Sequence, residues 1–150
     1  MRYRFGNPVS IATGVNTPAW RSAEIPSANG RATALARLYG VLAGGGTQGN
    51  TRLLSAESIN RCTQETSEGM DAVLKLRTRF SLGFMLNQDN PSGSTGPGPR
   101  AFGHPGAGGA LGFADPDAKM GFGYVMNKMD TFILVDPRAR RLIDAAYECL

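Results

Sequence analysis

The sequence is poor in metal ligands, with one histidine, His104, and two widely separated cysteines, Cys62 and Cys149. A zinc site would have to rest on carboxylates, and two cysteines build no disulfide framework. No metal and no cofactor is therefore expected, and each cysteine reads as a small buried hydrophobe. No run of about 18 apolar residues is present, which excludes a transmembrane helix. The opening Met1-Arg2-Tyr3-Arg4-Phe5 is basic but no apolar stretch follows it. A signal peptide is thus not expected, and a cytoplasmic location is. Phosphate-binding signatures are missing as well. Neither Gly44–Gly49 nor Gly106–Gly109 is followed by the Lys and Ser or Thr that a P-loop requires, and no βαβ unit frames a dinucleotide fingerprint.

What the chain does have is enough apolar residue for one packed domain: 41% hydrophobic and 19% charged over 150 residues. The net charge of +4 comes from Lys and Arg scattered among acids. The densest basic group, Arg138-Ala139-Arg140-Arg141, has no interleaved aromatics on which bases would stack. It reads as a solvated helix face, with no nucleic-acid partner.

Residues 1–26, with Pro8, Pro18 and Pro26, read as an irregular entry segment that Trp20 packs down. Residues 27–150 form the domain proper, a helical part over 27–78 and a sheet with a final helix over 79–150. Ser27 or Asn29 is placed to cap a first helix, whose Leu35, Leu38, Tyr39 and Leu42 share one face. Gly44-Gly45-Gly46 ends it through the left-handed conformation open to glycine. Ser55 caps a second helix of about ten residues, with Glu57 favouring the helix dipole and Ile59 and Cys62 apolar. Asp71–Leu76 fits neither period. Phe80, Leu82, Phe84 and Leu86 then alternate, which predicts one strand with a buried face. A long polar loop over Asn87–Arg100 is followed by strands near Ala110–Ala114 and Gly121–Met126, joined by the turn residues Asp115-Pro116-Asp117. Asp136 caps a last helix with Pro137 at its first position and an apolar stripe of Leu142, Ile143, Ala146, Tyr147 and Leu150. The fold class is α+β with an antiparallel sheet.

Chemistry is concentrated in Phe102-Gly103-His104-Pro105-Gly106-Ala107-Gly108-Gly109, where glycines let backbone approach a ligand or another chain closely. From composition alone, a glycine-rich strand edge accounts for the segment. The ordered set His104–Gly109, Phe113-Ala114-Asp115-Pro116 and Met120–Asn127, with Glu24–Gly30, Leu53–Ser58 and Arg79–Phe84 upstream, resembles the C-terminal part of serine β-lactamase-related proteins. That group holds class C β-lactamases, D,D-peptidases and related carboxylesterases, and the resemblance runs from about Thr17 to Leu150. It implies a partial β-lactamase/transpeptidase-like fold with the C-terminal helix packed on the sheet, and acyl transfer from an ester or amide through a serine acyl-enzyme. In that family a Lys-Thr-Gly or His-x-Gly triplet lies on a strand lining the active site. His104, Pro105 and Gly106 match the triplet, and Ala107, ahead of Gly108 and Gly109, matches the position whose backbone N–H serves the oxyanion hole. Histidine in place of lysine points to the esterase-like branch.

The nucleophile pair of that family, Ser-x-x-Lys, is missing: no serine here has a lysine three residues on. The Tyr-x-Asn motif is missing too. The resemblance thus implies a C-terminal fragment of a serine hydrolase without catalytic residues of its own. It further implies a sheet edge open to self-association or to a separately encoded N-terminal half. A non-catalytic binding module is the alternative. An independent hydrolase using Ser27 or Ser81 with His104 has no spacing to support it.

Overall fold

Side-chain size alternates along Leu111–Asp115 (β7) and Met120–Tyr124 (β8), and that alternation assigns a different helix to each face of the sheet. Gly112 pairs with Gly123 and Ala114 with Gly121 on one face; Leu111 pairs with Tyr124 and Phe113 with Phe122 on the other. This computed structural model describes residues 31–150. In chain order the earlier elements are α1 (Ala32–Ala43), β1 (Thr47–Gln48), β2 (Thr51–Arg52), α2 (Ala56–Cys62), β3 (Ser67–Met70), β4 (Arg77–Phe80), β5 (Met85–Leu86) and β6 (Phe102–Pro105). After β8 comes α3 (Pro137–Glu148). Strands β3 to β8 form one antiparallel sheet in sequence order, and β1 and β2 make a separate small hairpin. This is the expected α+β arrangement.

The small-residue face lets α1 lie flush on the sheet. A Cβ on Gly121 would stand 2.0 Å from the Gly40 nitrogen, and one on Gly123 would stand 2.3 Å from the Ala32 carbonyl oxygen. The face of α1 that meets β8 is therefore Ala32, Ala36 and Gly40, spaced four apart on the helix. Tyr39, Leu42, Ile59, Leu86, Phe102 and Ala114 close the core on this side. On the bulky face, Ala139 and Ile143 of α3 pack on Leu111, Phe113, Val135 and Ala101. Burying a side chain such as Phe113 or Ile143 contributes about 1.5–3 kcal/mol. Asp115, 1% exposed, ties the β7–β8 turn to α3: it accepts from the Asp117 and Ala118 amides and, at 2.5 Å, from the Tyr147 hydroxyl. Burial, and then that bond, push the Tyr147 hydroxyl's pKa above its ordinary value.

Several expectations need correction. The α1 N-cap is Arg31, which makes no side-chain cap bond; Ser27, Asn29 and the 1–26 segment with Trp20 lie outside the described residues. Leu38 is exposed, because the small Ala32–Ala36–Gly40 face and not a leucine stripe meets β8. Of the three terminal glycines, Gly45 and Gly46 are left-handed and Gly44 is not. Ser55 does cap α2, accepting from the Ser58 amide at 3.0 Å, but that helix runs only seven residues. The alternation from Phe80 to Leu86 is two strands, not one. Gly83, with φ +92°, turns the chain so that Phe80 pairs with Met85 and Leu82 is left exposed. Asp71–Leu76 is the turn of the β3–β4 hairpin, held by the Asp71 carboxylate accepting from the Val73 and Leu74 amides. On α3, Leu142 and Leu150 are exposed and Ala139 takes their place in the stripe. Cys149 is exposed and Cys62 half-buried, so neither is a core residue. No helix among the described residues is long and apolar enough to cross a membrane.

Candidate functional site

Strand β6 carries His104 on the face that α1 covers, in register with Gly112. His104 is exposed, at the edge of the aromatic cluster. Its ring centroid lies 6.5 Å from that of Phe80, while Phe84 meets Phe102 edge-on at 4.9 Å. His104 Nδ1 is 2.6 Å from the Pro105 carbonyl oxygen. A carbonyl only accepts, so Nδ1 carries the proton and Nε2 is the ring atom with no partner among the described residues.

After Pro105 the chain turns tightly through Gly106–Ala110. The Gly106 amide donates to the Ala110 carbonyl at 2.6 Å, Gly108 to Phe132 at 3.0 Å, and Gly109 to Gly106 at 3.0 Å. The Ala107 and Ala110 amides of this turn donate to no acceptor among the described residues, and of the two residues only Ala107 is exposed. His104 and the Ala107 N–H thus border the same end of β6, separated by Pro105, which has no backbone donor, and Gly106, whose amide is already engaged.

A brace from the chain before α3 sets the shape of this turn. The Gly108 carbonyl accepts from the Asp130 amide at 3.1 Å and from Arg138 Nη2 at 3.4 Å. Arg138 Nη1 also donates to the Lys128 carbonyl at 3.0 Å. Its guanidinium grips both carboxylate oxygens of Asp136, and Asp136 accepts from the Arg138 amide at 2.7 Å as the cap of α3. Asp136 is fully buried, so charge pairing in a low-dielectric setting is what keeps it ionised. The Arg138 hydrogen bond holds the Asp136 carboxyl's pKa below its ordinary value, against burial. Gly108 and Gly109 both take positive φ, +88° and +114°, and a Cβ on either would strike Met129 or Asp136.

His104, Pro105, Gly106, Ala107, Gly108 and Gly109 run consecutively from β6 into the turn that follows it. Ser81 does not join them as a nucleophile: it is buried, and its hydroxyl donates to the Phe84 carbonyl at 3.3 Å. The basic run at 138–141 is not simply a solvated face, since Arg138 is spent on Asp136 and Gly108. Sequence reading registered Asp136 only as a helix cap. The one available sign was an arginine two places after the capping aspartate, and nothing local connects that pair to a turn 30 residues earlier.

The β-lactamase family model matches residues 3–146. The chain is 38% identical over 125 residues to the esterase/beta-lactamase LipL of Mycobacterium tuberculosis, covering 81% of this chain and 28% of that protein. Among solved structures it is similar to a family VIII carboxylesterase, with 51% identity, a TM-score of 0.78, and coverage of 90% of this chain and 36% of that one. A penicillin-binding protein homolog from Caulobacter crescentus matches with 44% identity and a TM-score of 0.79, over 97% of this chain and 39% of that one. The chain therefore spans well under half the length of each of these proteins.

Proposed function

The chain belongs to the β-lactamase family, on the branch that includes esterases, and from that premise we propose that it supplies one wall of a serine acyl-hydrolase site without performing the reaction itself. The observation that carries this reading is the Ala107 amide, the N–H of an exposed residue without an acceptor among the described residues, in a turn where the Gly106, Gly108 and Gly109 amides are all engaged. Such a donor aimed at a developing oxyanion stabilises the transition state of acyl transfer by about 3–4 kcal/mol. His104 stands beside it. With Nδ1 committed to Pro105, Nε2 faces a substrate as an acceptor when the ring is neutral and as a donor when it is protonated. This arrangement suits small esters or amides, esters above all, because a neutral imidazole offers a substrate carboxylate less than an ammonium does.

Catalysis also needs a nucleophile and its base, and no serine in these 150 residues has lysine at the required spacing. The chain by itself is therefore a pocket wall. A complete site would come from pairing with polypeptide that carries Ser-x-x-Lys. Strand β8 favours such pairing, or self-association, because it ends the order of the six-stranded sheet among the described residues. The test is hydrolysis of p-nitrophenyl acetate and butyrate by the purified chain. The expected rate equals that of buffer, and saturable turnover would overturn the reading.

A further inference from the structure

A second cavity lies at the start of α3, and no residue of the His104–Gly109 wall lines it. Its volume is about 460 Å³, within the range of small-molecule sites. The lining is mostly apolar: Leu134, Val135 and Pro137 are joined by Leu76, Phe132 and Ile133, the last three between 37% and 47% exposed at the rim. Arg140 is the one charged residue in that lining. Its guanidinium is poorly served by the protein. Nη1 reaches Asp144 only at 3.5 Å, and Nη2 is buried with no acceptor. The Arg140 side chain nevertheless keeps 24% of its surface exposed, so a guanidinium held only by that long contact is open to a charge-assisted bond from an incoming oxygen.

We propose that this cavity binds a monocarboxylate with an apolar body, an aliphatic or aryl acid, its carboxylate on Arg140 and its body against Leu76, Phe132, Ile133 and Val135. The charge selects an anion. The apolar lining selects against phosphate and other compact, strongly hydrated anions, which would lose their water without replacement. A single carboxylate on a hydrocarbon body matches both. Asp144, exposed and at the limit of hydrogen-bond distance, yields its place on the guanidinium at little cost. The proposal does not depend on the acyl-hydrolase reading, because the two sites share no lining residue.

Calorimetric titration of the whole chain with sodium octanoate and, separately, with 1-octanol tests it. Octanoate is expected to bind at least tenfold more tightly than octanol. Arg140→Gln should bring the two within about twofold, and Arg140→Lys should keep part of the preference. Equal binding of acid and alcohol, or an unchanged octanoate affinity in Arg140→Gln, overturns the proposal. Should Arg140→Gln fail to fold, Ser92→Asp introduces a carboxylate into the same lining. It should abolish octanoate binding while sparing octanol, and undiminished octanoate binding in that variant also overturns the proposal.

Discussion

Gly109 and Asp136 are packed so closely that a Cβ on the glycine would stand 2.2 Å from the aspartate's Oδ2. The contact joins the turn after β6 to the cap of α3, so the candidate oxyanion turn and the C-terminal helix are shaped as one unit. Gly109→Ala must strain a backbone at φ +114° and displace a buried, ion-paired carboxylate as well. A loss of about 2–4 kcal/mol is expected, readable as a lowered urea midpoint with unchanged slope.

Acid should release the same brace. The folded-state pKa of Asp136 is depressed, so its contribution is fully present above its unfolded-state value near 4. It is lost as pH falls through the lower folded value. Asp136→Asn keeps a capping oxygen but gives up the ion pair with Arg138. The gap in stability between wild type and Asp136→Asn should be widest near neutrality and should narrow as pH falls below about 4. Urea unfolding of both proteins across that range measures it, and a constant gap would show that the carboxylate charge contributes nothing.

Helix α1 depends on the glycines of β8 in a way that leaves no room for even one methyl group. Gly121→Ala places its Cβ against backbone atoms of Gly40 and Ala36, which cannot rotate aside as a side chain would. The helix must lift, opening the core around Tyr39 and Leu42, at an expected cost of about 2–4 kcal/mol. Gly49→Ala, with nothing within 4 Å of the new Cβ and a milder φ of +56°, should lose about 1 kcal/mol. Thermal unfolding of the two variants compares them directly, and equal losses would contradict the flush packing of α1.

Much of this architecture was legible because it rests on local chemistry. Ser55, Asp136-Pro137 and Asp115-Pro116-Asp117 announce two helix starts and a hairpin turn through side chains that bond backbone two or three residues away. The segment 104–109 stands out as a candidate site only through its likeness to a family, since glycines and one histidine specify no chemistry on their own. What escaped depends on tertiary contact. The break at Ser81–Phe84 hides inside an alternating pattern because Gly83 bends a run that otherwise suits one strand. Leu38 fits a helical stripe yet is exposed, since Gly121 and Gly123, far along the sequence, decide which face of α1 is buried. The brace of Asp136 and Arg138 on Gly108 is equally nonlocal.

Treatment of the purified chain with a fluorophosphonate probe, followed by intact mass measurement, tests the central claim most directly. On the proposed reading the chain supplies an oxyanion wall and no activated serine, so the mass is predicted to remain that of the unmodified protein. Stoichiometric labelling of one serine, lost in His104→Ala, would contradict the account and identify a nucleophile activated without the Ser-x-x-Lys pair.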